Sequence, residues 1–256
     1  MSLAARLKAD EAVLSAWSTI PDSLVVETVA GLGFDVVTLE MQHGGHHEDS
    51  VLRGIPAIRQ AGAHPVVRIP VGRFDMASRA LDFGAEAVIA PMVNSAEDAR
   101  AFAAAMKYPP VGMRSWGPTF AMPRAGETSA QQWLETANGQ TLAIAMIETR
   151  QALDALDDIL AVEGIDGVLV GPSDFSIAWT DGRKVDPALE EMMPAIADIA
   201  ARTRAVGKHA TIYVVDPHLV GRYHAMGFRF FALGSEASYM AKGATSLIET
   251  ARNSIG

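Results

Sequence analysis

The chain has no cysteine in its 256 residues, which excludes disulfides and thiolate chemistry and fits a reducing compartment. Positive charge is also in deficit: 21 Lys and Arg stand against 30 Asp and Glu, for a formal net charge of −9. That balance opposes attraction to phosphate backbones and anionic membrane surfaces, so neither nucleic acid nor a membrane is an expected partner. No apolar run approaches the ~18 residues that span a bilayer. Ser2 to Glu11 is charged and helical in pattern, unlike a basic stretch followed by an apolar signal core. These absences lead to the expectation of a soluble, cytoplasmic protein. Neither G-x-G-x-x-G nor G-x-x-x-x-G-K-[ST] follows an early strand, which removes the usual mark of an open nucleotide-binding sheet.

What is present is a repeated alternation. Short runs rich in Val, Ile and Leu recur at Val13 to Trp17, Val36 to Leu39, Pro65 to Ile69, Ala87 to Ala90, Leu142 to Ile147, Gly167 to Val170, Ala210 to Val214 and Phe230 to Leu233. Their hydrophobicity is continuous rather than alternating, as in parallel strands covered on both faces. Amphipathic helical patterns lie between them, and several stop at a glycine, among them Gly33, Gly62, Gly84, Gly207 and Gly227. Eight βα units in a chain of this length predict an α/β fold, a single-domain (β/α)₈ TIM barrel over residues 1–256. The interval Tyr108 to Gln140, rich in Pro and Gly, is longer than the others, and we expect it at the catalytic face.

Barrel sites are built at the C-terminal strand ends. Strand two delivers Glu40-Met41-Gln42-His43, strand three Arg68, strand five Glu148 and strand six Gly171-Pro172-Ser173-Asp174. Two carboxylates from neighbouring strands, Glu148 and Asp174, suit a hard divalent cation, which takes one or two protein carboxylates and completes its shell with water and substrate oxygens. A single strand-end acid can equally cap a helix or pair with a surface arginine; the pair is what points to a site. His46 and His47, beside Gly44-Gly45, read as solvated loop residues, and His64, His209, His218 and His224 as structural or surface groups. Arg68 ends a buried strand, where an unpaired guanidinium is costly, and so should meet an anion. A divalent ion can chelate a 2-oxo acid, and with a guanidinium it stabilises the enolate formed on proton loss. His43, or a water that it activates, is the natural base. The five lysines (Lys8, Lys107, Lys184, Lys208 and Lys242) all lie away from strand C-termini, which argues against an imine mechanism.

Read in order, Gln42-His43-Gly44, Val67-Arg68, Leu81-Asp82-Phe83-Gly84-Ala85, Ala90-Pro91-Met92-Val93, Tyr108 to Arg114, Ile147-Glu148-Thr149, Val162 to Gly167 and Gly171-Pro172-Ser173-Asp174 resemble the HpcH/HpaI aldolases over nearly the whole chain. The resemblance implies a class II pyruvate aldolase that uses Mg²⁺, Mn²⁺ or Co²⁺ and reversibly cleaves a 4-hydroxy-2-oxo acid to pyruvate, or a close 2-oxo acid, and an aldehyde. It implies Glu148 and Asp174 as metal ligands, His43 as base, Arg68 as enolate stabiliser and Asp82 as the acid that orients the histidine. Trp17, Gln42, Met146, Gly171, Pro172, Ser173 and Tyr213 are implied as substrate contacts, and the assembly as a homo-oligomer, a hexamer with exchanged helices.

The sequence departs from the family at Glu40, where Asp is frequent, and at Met146, where some members carry Gln. Gln42 stands where some members carry Glu. Ser115, Trp116 and Pro118 sit in a loop that is more glycine-rich elsewhere, which implies an aldehyde side of different shape. Two alternatives remain at this level: a lyase for CoA thioesters of the citrate lyase β-subunit or malyl-CoA type, for which no basic cluster is visible, and a non-catalytic barrel.

Overall fold

The computed structural model describes residues 1–256. Eight parallel strands close a barrel in chain order: β1 (Val13–Ser18), β2 (Val36–Glu40), β3 (His64–Arg68), β4 (Ala87–Ala90), β5 (Leu142–Ile147), β6 (Gly167–Val170), β7 (His209–Val214) and β8 (Phe230–Ser235). All eight predicted strands form, with ends displaced by no more than two residues. No helix is long and apolar enough to cross a membrane.

Alternate residues of each strand face the barrel interior. The inward set is Val13, Val36, Val66, Ala87, Ile89, Leu142, Ile144, Leu169, Phe230 and Ala232. The amino-terminal helix α1 (Leu3–Lys8) presses Leu3 and Leu7 into the same cluster and so plugs the floor. The outward residues form the larger core under the helical ring: α2 (Ser23–Ala30), α3 (Glu48–Gln60), α4 (Phe74–Phe83), α5 (Ala96–Met106), α6 (Ala121–Arg124), α7 (Ala130–Gln140), α8 (Arg150–Asp154), α9 (Leu156–Leu160), α10 (Pro172–Trp179), α11 (Met193–Ala205), α12 (Val220–Met226) and α13 (Glu236–Ile255). Glycine ends α4 and α12 as the patterns predict, because Gly84 (φ 105°) and Gly227 (φ 108°) take the left-handed conformation that closes a helix.

The expectation that Tyr108 to Gln140 lies at the catalytic face is wrong. The segment follows α5, which has already returned the chain to the N-terminal end of the barrel, so it lies opposite the catalytic face. There Lys107 Nζ meets the Asp166 carboxylate (2.7 Å) just ahead of β6, and Arg124 donates to the Phe83 carbonyl at the end of α4. The segment is also not all loop, since α6 and α7 form within it. A weak apolar stripe, of which only Trp133 and Ala137 are buried, hid α7 from the sequence reading.

Candidate active site

The inward parity that fills the barrel floor with aliphatic groups places Trp17, Glu40, Arg68, Met146, Leu169 and Tyr213 around its mouth. They enclose a cavity of about 310 Å³, completed by Thr19, His43, Gly171, Pro172, Ser173, Asp174 and Ser235. Register explains the polar centre of this wall: Glu40 on β2 lies directly across from Arg68 on β3. Glu40 Oε2 accepts from Arg68 Nε and Nη2 (both 2.5 Å) and from Trp17 Nε1 (2.7 Å). Its Oε1 accepts the backbone N–H groups of Gln42 (2.6 Å) and His43 (3.2 Å). Arg68 therefore meets an anion, as its burial requires, but the anion is Glu40, delivered by the end of β2 and given no role from the sequence. Arg68 Nη1 faces the Met146 sulfur at 3.7 Å, and its guanidinium lies 5.1 Å from the Trp17 ring, which packs edge-on against Tyr213.

On the other side of the mouth, Glu148 is 2% exposed and accepts one hydrogen bond, from the Met92 N–H at 2.8 Å. Met92 holds φ at 54°, a left-handed conformation unusual for a branched-free apolar residue, and this turns its N–H toward the carboxylate. Burial, with the Asp174 and Glu40 charges, pushes the Glu148 carboxyl above its ordinary range, while the Met92 bond and Arg68 oppose that. A Cβ added at Gly171 would lie 2.8 Å from Glu148 Oε2, so the glycine is what lets the backbone pass this close. Asp174 sits exposed in the first turn of α10, behind Pro172 at the first helical position. Neither Glu148 nor Asp174 has a cationic side chain as partner. No cluster of three or more His, Asp or Glu side chains is arranged to hold a metal.

A profile of the HpcH/HpaI aldolase/citrate lyase family matches residues 14–242. The chain belongs to the HpcH/HpaI family. It is 35% identical over 239 residues to a hydroxypyruvate/pyruvate aldolase of Roseovarius nubinhibens, covering 93% of this chain and 91% of that one. It is 34% identical over 242 residues to a 4-hydroxy-2-oxo-heptane-1,7-dioate aldolase of Salmonella typhimurium, covering 94% and 90%. Among solved structures, that of the citrate synthase SbnG matches with a TM-score of 0.86 at 26% identity, covering 99% of this chain and 98% of that one.

In this HpcH/HpaI chain the structure gathers most of the predicted site but leaves three predicted residues off the cavity wall: Glu148, buried just behind the lining residue Gly171, and Gln42 and Asp82. Gln42 does not line the cavity; its backbone serves Glu40, and its side-chain oxygen is buried without a partner. Asp82 is at the opposite end of the barrel, on the last turn of α4, where it accepts from Arg114 Nη2 at 2.6 Å. Topology dictates this, because a helix that precedes a strand ends at the N-terminal face. Within one chain Asp82 cannot reach His43, whose ring has no hydrogen-bond partner. The loop carrying Ser115, Trp116 and Pro118 lies at that same far end, so within one chain it does not shape the aldehyde side. His46 also departs from expectation: it is 4% exposed, bonded through Nε2 to Ser18 Oγ (3.0 Å) and through Nδ1 to Ser50 Oγ (3.0 Å). Thr19, Leu169 and Ser235 line the site without having been singled out, although strand parity alone nominates Leu169.

Proposed function

We propose that this protein is a class II aldolase that forms the enolate of pyruvate, or of a close 2-oxo acid, and joins it reversibly to an aldehyde. The observation that carries the reading is the Glu148–Asp174 pair, two strand-end carboxylates without a cationic partner, beside a guanidinium already oriented by Glu40. An all-oxygen donor set of two carboxylates fits a hard cation such as Mg²⁺ or Mn²⁺, with Co²⁺ also accommodated. Held by Glu148 and Asp174, that ion supplies Lewis-acid polarisation of the 2-oxo oxygen and positive charge against the developing enolate.

The remaining work falls to the chain itself. Gly171 caps α10, and the Ser173 and Asp174 N–H groups in its first turn have no acceptor in the chain, an arrangement that receives a substrate carboxylate. Arg68 donates to the oxygen on which negative charge grows. Trp17, Met146, Leu169 and Tyr213 wall the reacting carbons from water. In cleavage, His43 or a water that it activates takes the proton of the 4-hydroxyl and the C3–C4 bond breaks. Its electron pair passes to the 2-oxo group, the aldehyde leaves, and the enolate takes a proton at C3. Addition runs the same steps in reverse. The names of the Roseovarius and Salmonella relatives support this chemistry. A CoA-thioester lyase is served less well, since Arg68 is the one cationic side chain on the cavity wall and Glu40 already holds it.

The reading includes a homo-oligomer, hexameric by family likeness. From Ala241 onward α13 is exposed, and its apolar Leu247, Ile248 and Ile255 project from the barrel. An apolar groove of Leu24, Val25, Val29, Leu32, Tyr239 and Met240 lies at its base. Such an assembly is also the one way for Asp82 to act on His43, from a neighbouring subunit. The test is exchange of pyruvate methyl protons with D₂O, followed by proton NMR with and without a divalent ion. Exchange should need the ion and stop on chelation; full exchange in excess EDTA after dialysis rules the metal mechanism out.

A further inference from the structure

Glu236 opens α13 and is 2% exposed, yet no cationic side chain pairs with it. Its two oxygens are spent on consecutive residues at the end of β1. Oε1 accepts from Ser18 Oγ (2.5 Å) and the Thr19 N–H (3.1 Å); Oε2 accepts from the Thr19 N–H (2.9 Å) and Thr19 Oγ1 (3.0 Å). Ser18 and Thr19 in turn hold the segment that follows His43. The Thr19 carbonyl accepts the Gly45 N–H at 2.8 Å, and Ser18 Oγ meets His46 Nε2 at 3.0 Å. Two parallel bridges thus run from one carboxylate, through residues 18 and 19, to residues 45 and 46.

The direction of these bonds follows from chemistry. A carboxylate only accepts, so Ser18 must give its proton to Glu236, and His46 Nε2 must then be the donor to Ser18. Burial pushes the His46 imidazole down to about 4, which keeps the ring neutral with its proton on Nε2. Ser18 is fully buried with its proton committed, so the trio is no nucleophilic triad. Gly45 is held tightly as well: a Cβ there would lie 2.8 Å from Pro21 Cδ.

We propose that Glu236 is a positioning residue for His43, fixing through Ser18 and Thr19 the loop that presents the imidazole to the 2-oxo acid. The inference rests on His43 as the base. Glu40 anchors the start of the loop through the Gln42 (2.6 Å) and His43 (3.2 Å) N–H groups, and Ser50 holds His46 from the α3 side. Glu236 is the tie between the loop and the end of β1. The His43 ring itself has no hydrogen-bond partner, so its position depends on how these ties hold the backbone.

Glu236→Gln preserves shape but puts an NH₂ where an acceptor is needed. In the metal-free protein, amide hydrogen exchange at residues 41–47 should accelerate in Glu236→Gln. Ser238→Ala removes the side chain of the α13 capping box without touching residues 18 and 19, and should leave that exchange unchanged. With metal and pyruvate, Glu236→Gln should slow methyl-proton exchange by ~10-fold, the scale of a sub-ångström misplacement, with KM for pyruvate unaltered. In a His43→Ala background the same change should cost nothing further, since both act through one group. Parent-like amide protection in Glu236→Gln, or a loss as large in His43→Ala as in the parent, overturns the proposal. Should the parent itself fail to exchange pyruvate protons, the aldolase reading falls, while the amide measurement still decides whether Glu236 holds the loop.

Discussion

Gly171→Ala isolates the position of Glu148 from the rest of the fold. The backbone tolerates the change, because φ at Gly171 is −99°, a value open to every L residue. The added methyl, however, would lie 2.8 Å from Glu148 Oε2 and 3.0 Å from Met146 Cε. Comfortable contact begins near ~3.5 Å, so the carboxylate must retreat by roughly 0.7 Å. Met146 ends in a flexible thioether and can yield, whereas Glu148 is held by the Met92 N–H. A misplacement of about 1 Å costs on the order of 10²-fold in rate, so enolisation should slow by roughly 10- to 10²-fold. Divalent-ion affinity should fall with it. Overpacking of ~1 kcal/mol is partly offset by the lower unfolded-state entropy of alanine, so stability to urea should change by no more than about 1 kcal/mol. Methyl-proton exchange at several Mg²⁺ concentrations, with urea unfolding as control, measures all three. Parent-like exchange and metal affinity in Gly171→Ala would refute the placement of Glu148 in the site.

Arg68→Ala should lower turnover by ~10²-fold or more, and Arg68→Lys should restore only part because an ammonium cannot reproduce the fork. It should also destabilise the fold by about 3–5 kcal/mol, since Glu40 would be left buried and unpaired; undiminished turnover or unchanged urea stability contradicts this. Borohydride with pyruvate should leave protein mass unaltered, because no lysine faces the cavity and Lys107 is committed to Asn138, Thr141 and Asp166 at the far end. A stable lysine adduct in the mass spectrum would reverse the class II assignment. Because the Glu148 carboxyl titrates above its ordinary range, the folded chain binds a proton there that the unfolded chain has released. Its contribution to stability is therefore lost as pH rises from the ordinary carboxylate range through its raised value. In EDTA, Glu148→Gln should gain stability relative to the parent across that interval, and a flat difference in urea midpoint speaks against it. Co-refolding inactive His43→Ala with inactive Asp82→Asn should regenerate activity if the two residues meet across subunits; mixed oligomers that stay inactive place Asp82 outside the reaction.

The fold was legible because barrel strands carry a strong signal: eight short, continuously apolar runs, of which Val36–Glu40 is largely β-branched and buried on both faces, recur between helical patterns. The candidate site was legible where chemistry is tied to a strand end, as for Arg68, Glu148 and Asp174. Which face of the barrel a connection occupies is not encoded in local pattern. Tyr108 to Gln140 lies between two strands, but α5 had already carried the chain down, and only counting the helix in that interval reveals it. His46 misled for another reason. Its neighbours in sequence are glycines, which suggest solvent, whereas its partners Ser18 and Ser50 come from β1 and α3 and are invisible to local pattern.

Glu40 fixes two of the candidate site positions at once. Its Oε2 fixes Arg68 and Trp17, and its Oε1 gathers the Gln42 and His43 N–H groups, so the guanidinium and the start of the histidine loop share a single carboxylate. The resemblance implies that Asp, one methylene shorter, is frequent here in HpcH/HpaI members; in this chain it is the glutamate that meets Arg68 with one oxygen and residues 42 and 43 with the other. Gly44 packs tightly on the same residue: a Cβ there would lie 2.6 Å from the Glu40 backbone carbonyl oxygen and 2.8 Å from Glu40 Cγ. Arg68 is already paired with Glu40 in the free chain, so in the aldolase reaction proposed above the positive charge offered to a 2-oxo acid would come chiefly from a divalent ion held by Glu148 and Asp174. Arg68 would then act by geometry, offering a donor edge that Glu40 has already aligned.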